Sequence, residues 1–329
     1  MVHKFILPIV IGLVGTQAQA KLCPEWSSPK TIGEVDFSVL PETSGLAVSA
    51  QHPGRLYHIN DRGNETTIFV SNLKGTIEQR INVTGLPPET ADTESLGYGP
   101  CGSKTCLFIG DIGDNKKSRS TINLAWFEEK ASFDSSVSLK GSVALKYPDG
   151  SHNSEGMFVH PNGDVFFFTK ELAAKTPGKK GKKHKGGKAS SEDVAIAPSK
   201  VYRLPAAAIV KGSGTITLEK VGEIDVPAMV GKGPEDDKVV TGATVSQDGR
   251  ILLLTYGAVV EIAWDPSKKL KPTSKMKKGT DYNVIRMSLP HQEAAEFLPD
   301  GSGFIVTSEN RQNQAPIVEV KCGAGSKSI

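Results

Sequence analysis

Glu155-Gly156-Met157-Phe158-Val159-His160-Pro161-Asn162-Gly163-Asp164-Val165-Phe166-Phe167-Phe168-Thr169 reads as two short apolar strands joined by a tight turn. Proline presets φ, asparagine tolerates a left-handed backbone and glycine supplies positive φ at no steric cost, so Pro-Asn-Gly-Asp is turn chemistry. The unit opens on an oxygen-bearing side chain followed by a small residue. It ends in the polar pair Lys170-Glu171.

Outward from this stretch the same pattern recurs four more times. The other units open at Ser44-Gly45-Leu46-Ala47-Val48, Glu94-Ser95-Leu96-Gly97-Tyr98, Thr241-Gly242-Ala243-Thr244-Val245 and Glu293-Ala294-Ala295-Glu296-Phe297. Second strands follow at Leu56 to Ile59, Cys106 to Ile109, Ile251 to Thr255 and Phe304 to Thr307. They end in Asn60-Asp61-Arg62, Gly110-Asp111, Tyr256 and Ser308-Glu309-Asn310. Third strands are predicted at Thr67 to Leu73, Asn123 to Phe127, Val201 to Leu204, Val259 to Trp264 and Pro316 to Lys321, with a weaker fourth strand on the solvent side.

Unit starts are 50, 61, 86 and 52 residues apart, and the long interval holds a low-complexity insertion at about 172–198. Four short strands per unit without helical periodicity predict an all-β, five-bladed β-propeller, with six blades the alternative. The last unit shows three strands, and the alternating segment Thr31 to Phe37 has no unit of its own. It is expected to complete the last blade, which removes the open edge between first and last blades.

Residues 1–20 read as a signal peptide: a basic start, an apolar run and Ala18-Gln19-Ala20 before Lys21. Residues 21–329 are then one secreted or periplasmic domain, expected as a monomer. No later stretch is apolar for long enough to form a transmembrane helix. In an oxidising compartment four cysteines favour two disulfides over a metal site. Three pairings exist. Cys101 and Cys106 bracket a tight hairpin, and a Cys23 to Cys322 bond would join the ends of the mature chain, with roughly 5 kcal/mol as its loop-entropy ceiling.

In a propeller the first strand starts, and the second strand ends, at one mouth of the central channel. Ser44, Glu94, Glu155, Thr241 and Glu293 therefore form a ring. Carboxylates about 5 Å apart repel by roughly 3 kcal/mol per pair at an effective dielectric of 20. Retained protons, cross-blade Lys or Arg pairs, or a bound cation would offset this. Oxygen donors without His or Cys suit Ca²⁺ rather than zinc or copper.

Leu56-Tyr57-His58-Ile59-Asn60-Asp61-Arg62-Gly63, after Glu42-Thr43-Ser44-Gly45-Leu46, resembles the first blade of the calcium-activated apyrases. The resemblance implies a five-bladed secreted propeller with a central calcium held by one Ser or Glu per blade, and nucleotide hydrolysis. Asp92-Thr93-Glu94, Gly110-Asp111-Ile112-Gly113-Asp114-Asn115, Tyr147-Pro148-Asp149-Gly150 and Thr169-Lys170-Glu171 resemble more closely a set of secreted bacterial propellers of unassigned activity.

A metal-dependent phosphohydrolase, apyrase-like or phytase-like, needs a water-orienting carboxylate and cationic phosphate contacts beside its metal. Asp61 is the candidate for the first role and Arg62 and Lys170 for the second, with Asp111 a further carboxylate. The alternative is a non-catalytic extracellular binding propeller with structural calcium. Nucleophile-elbow and His-zinc signatures are missing, and His152 and His291 stand apart from other catalytic residue types.

Residues 175–188 carry seven lysines and no acid. The whole chain has a formal charge of +3; without the leader's Lys4 and these seven lysines the body is at −5. The arm is expected to be disordered and to attract an anionic small molecule or an extracellular polyanion through salt-sensitive contacts. It lacks interleaved aromatics, which argues against sequence-specific nucleic-acid recognition.

Overall fold

The computed structural model describes residues 21–61, 66–87, 92–174, 194–211, 214–266, 268–287, 289–309 and 314–323. The leader, Arg62 and the lysine arm lie outside them. The chain forms five antiparallel sheets of at least four strands arranged as the blades of a propeller. Blade I comprises Thr43–Val48, Arg55–Asn60, Thr67–Asn72 and Ile77–Thr84. Blade II comprises Thr93–Cys101, Lys104–Asp111, Ile122–Glu128 and Gly141–Lys146. Blade III comprises Ser154–Val159, Val165–Thr169, Ser199–Leu204 and Glu219–Ile224. Blade IV comprises Val240–Val245, Ile251–Thr255, Ala258–Ile262 and Tyr282–Arg286.

Blade V takes three strands from the C-terminal region, Gln292–Phe297, Gly303–Ser308 and Gln314–Gly323. Its outer strand is the N-terminal Lys30–Asp36, antiparallel to Gln314–Gly323. The predicted closure is thus present. Cys23 and Cys322 are bonded at the same junction, and Cys101–Cys106 clips the first hairpin of blade II. Buried Glu261 of blade IV reinforces the closure by accepting the Cys23 amide at 2.8 Å and the Trp26 indole N–H at 2.9 Å.

Inner strands contact those of the next blade in a closed cycle, V to I included. Both faces of the inner part of each blade are therefore covered, and second strands such as Val165–Thr169 and Ile251–Thr255 read as continuous apolar runs rather than alternating ones. Hydrophobic packing divides into five clusters, one at each blade junction. At the III–IV junction, for example, Phe158, Phe166 and Phe168 meet Ile251, Val260 and Trp264.

Three features depart from the sequence reading. Ser136–Ser138 and Thr215–Thr217 add fifth strands, parallel to the outer strands of blades I and II. Each comes from the connection between the last two strands of the following blade, so it covers a neighbour's open edge. Two short helices, Ala206–Lys211 and Val226–Val230, occur in linkers. The second is capped by Asp225 and begins with Pro227 in its first turn, and five residues show too little periodicity to be read in advance. Finally, the ends of the insertion, Leu172–Ala174 and Val194–Ile196, pair as a two-stranded ladder.

Candidate metal centre at the channel mouth

The five residues that open the repeats occupy one structural position. In every blade the register between first and second strand shifts at that residue: at Ser44, Glu94, Glu155, Thr241 and Glu293. A β-bulge leaves one residue outside the ladder and re-aims its side chain. The small residue after each bulge admits the neighbouring blade. A Cβ on Gly45 would lie 2.6 Å from the Leu96 backbone nitrogen, and one on Gly242 would lie 2.8 Å from the Glu293 carbonyl oxygen.

The hydroxyl members also tie blades together. Ser44 donates to the Thr93 carbonyl at 2.8 Å and Thr241 to the Gln292 carbonyl at 3.0 Å. A void of about 10 Å³ lies between residues that include Ser44, Gly45, Gly242 and Glu293.

The ring is electrically lopsided. On the blade III–IV side, Lys170 Nζ sits 2.8 Å from both Glu155 oxygens. It also donates to the Tyr256 hydroxyl at 3.1 Å and lies 5.0 Å from that ring's centre. Tyr256 donates in turn to Glu293 at 3.0 Å. Burial drives the Lys170 pKa down, but Glu155 and Tyr256 outweigh it and hold the ammonium charged.

Acid accumulates on the opposite side. Asp61, Asp92 and Glu94 each offer a carboxylate oxygen, and the three atoms lie within 4.8 Å of one another. Burial raises Glu94 well above the usual carboxylate range, with Glu155, Asp61, Asp92 and Glu293 adding like charge. Burial raises Glu293 similarly, aided by Glu309 and Glu155 and opposed by Lys170.

The Gly110-Asp111-Ile112-Gly113-Asp114-Asn115 motif builds the wall beside this cluster. Asp111 holds Arg119 bidentately, at 2.6 and 3.0 Å, and accepts from Asn123 at 2.9 Å and from the Asp92 amide at 2.8 Å. Its carboxylate is thus committed to fixing the backbone that carries Asp92. Gly113 donates its amide to the Asp92 carbonyl at 3.1 Å. A Cβ there would meet Glu94 Oε1 at 2.5 Å and Asp92 Oδ2 at 2.6 Å, so a larger residue would displace the two carboxylates.

Of the four candidate catalytic residues, Asp61 lies in the acidic cluster, Lys170 and Asp111 are held in the pairs just described, and Arg62 lies outside the described residues. The sequence reading did not assign Asp92, although its i, i+2 spacing to Glu94 was a signal. Tyr256 and Glu309 were recognised only as strand-end residues. His152 is buried, its ring nitrogens 2.8 Å from Glu171 and 3.1 Å from Asp149, and it stacks on Tyr202. It joins the loops that lead into blade III.

The donor set tests well for a hard cation. Asp61, Asp92 and Glu94 supply only oxygen, as Ca²⁺ and Mg²⁺ require and as zinc and copper do not favour. The lining loop leaves no room for a side chain on the Gly113 side.

No family model matches the chain, so its likeness to the calcium-activated apyrases rests on the quoted residues alone. No curated protein matches either. Similar solved structures include a nidogen/laminin complex, with 11% identity, 81% of this chain and 72% of that chain covered and a TM-score of 0.43. Another is a gluconolactonase from Xanthomonas campestris, with 11% identity, 85% and 72% coverage and a TM-score of 0.42. An auxiliary nutrient binding protein from Bacteroides thetaiotaomicron has 10% identity, 89% and 75% coverage and a TM-score of 0.41. At these scores the likenesses carry no functional argument. The two disulfides fit an extracytoplasmic, oxidising compartment, and among the described residues no helix is long and apolar enough to cross a membrane.

Proposed function

We propose that this is a secreted calcium-binding propeller that presents its cation at the channel mouth to an anionic ligand. The observation that carries the reading is the convergence of Asp61, Asp92 and Glu94 within 4.8 Å, on a ring that five strand bulges build. Three carboxylates so close repel strongly, and a hard cation among them would relieve that repulsion. Asp61, Asp92 and Glu94 would hold it, with the other ring oxygens, Ser44, Glu155, Thr241 and Glu293, completing the polar rim.

Bound there, calcium supplies charge neutralisation and polarisation of a phosphate oxygen. Within this chain, Asp61 would orient water, and Asp111 with Arg119 positions the backbone of Asp92. Hydrolysis of a phosphate ester or phosphoanhydride is the activity this arrangement favours. The non-catalytic reading, a binding propeller with structural calcium, is favoured by one observation: Asp111 and Lys170 are both saturated by internal partners.

Calorimetric titration with Ca²⁺ tests the metal. Binding that raises the melting temperature and is lost in Glu94→Gln is expected; chelation without any change in melting overturns the site. A screen of nucleotides, phosphomonoesters and lactones then separates the two readings. Calcium-dependent turnover abolished by Asp61→Asn supports the hydrolase, and absence of turnover in a calcium-loaded protein supports the binding propeller.

A further inference from the structure

The ring already contains a cation, and it is covalently attached. Lys170 follows the second strand of blade III, and its part-buried ammonium sits against both Glu155 oxygens, the Tyr256 hydroxyl and the Tyr256 ring face. Through Tyr256 the same contact extends to Glu293, so one lysine and one tyrosine bridge the two acidic ring members on either side of neutral Thr241. Oxygen donors, close approach and burial are the features of an occupied cation site. The occupant is the chain itself.

We propose that Lys170 is a tethered counter-ion that blocks divalent-cation binding on the Glu155–Glu293 side and confines it to Asp61, Asp92 and Glu94. A side-chain ammonium competes at the high effective concentration set by its own stem, which a free ion at physiological concentration does not match. Deleting the ammonium would take its ion pair from the buried Glu155 carboxylate, with Tyr256 and Glu293 beside it, and a divalent cation becomes the available compensation. The confinement clause rests on the proposed calcium site, whereas the blocking role stands on the Lys170 contacts alone.

The test is the number of Ca²⁺ ions bound per chain, measured by equilibrium dialysis on the full disulfide-bonded protein, for wild type, Lys170→Met and Lys170→Arg. One additional ion in Lys170→Met, and none added in Lys170→Arg, is expected. If wild type binds none and Lys170→Met binds one, the proposed function falls and the blocking role stands. If wild type binds one and Lys170→Met still binds one with unchanged affinity, the blocking role falls and the proposed function stands. No binding by either protein overturns both. Where Lys170→Met is unfolded without metal, refolding on addition of millimolar Ca²⁺ supports the proposal, and failure to refold there overturns it.

Discussion

Glu296 shows how one side chain couples this fold to pH. It projects from the inner strand of blade V toward Thr244 of blade IV, whose hydroxyl donates to it, and it also accepts the Phe297 amide. Burial pushes its pKa up to about 8 from an ordinary 4.5, against those two hydrogen bonds. Between these values the native chain holds a proton that the unfolded chain has released. Stability linked to Glu296 is therefore present at acid pH and is lost as pH rises through about 8. Glu296→Gln keeps the acceptor oxygen and removes the titration. Its melting temperature is expected to exceed that of wild type by more at pH 9 than at pH 5; an equal difference at the two pH values would refute the assignment. Buried His58, lowered to about 4 by burial, works in the opposite sense below its ordinary 6.5. Both responses were invisible in sequence, because a shift depends on the neighbours that the fold supplies. The acidic trio was half legible: Asp61 and Glu94 stood out through the repeat, while Asp92 needed the loop around Gly113 to bring it beside them.

Among the elements, the inner strands carry most of the design. Each repeats an oxygen side chain followed by a small residue, and the reason for the second is now concrete. The bulge turns the first residue into the channel mouth, and the second lets the next blade approach. Gly45→Ala would place a Cβ 2.6 Å from both the Leu96 amide nitrogen and an Ile59 methyl. Backbone gives way less readily than a side-chain tip, so a loss of about 1–3 kcal/mol is expected in denaturant unfolding. A variant as stable as wild type would show that the blade I–II junction tolerates separation. The bulges themselves were not legible, since a register shift is a relation between two strands. Likewise the fifth strands, three residues each, contain too little pattern to be distinguished from loop. They exist because a neighbouring blade offers an unpaired edge.

At the scale of the whole molecule, the propeller is a ring whose weakest point is where the chain starts and ends. Lys30–Asp36 supplies the outer strand of blade V, Cys23–Cys322 locks the junction, and Glu261 ties Cys23 and Trp26 to blade IV. Replacing both Cys23 and Cys322 by serine is expected to cost about 2–5 kcal/mol, the range typical of native bridges in small secreted domains. Replacing Cys101 and Cys106, only 5 apart in sequence, should cost less, because a short loop loses little entropy on closure. Equal effects in calorimetric or denaturant unfolding would mean that the terminal bond does not close the ring. The sequence by itself pointed to five blades with six as the alternative, and to the closing strand and the five repeat-opening positions, because turn residues and apolar runs recur locally and the repeat superimposes them. Tertiary structure alone decided how charge is distributed around that ring. Lys170 reaches Glu155 within the blade III hairpin, but it lies 86 residues from Tyr256, and Asp61 lies 31 from Asp92, so those meetings depend on blade-to-blade packing that no local pattern encodes.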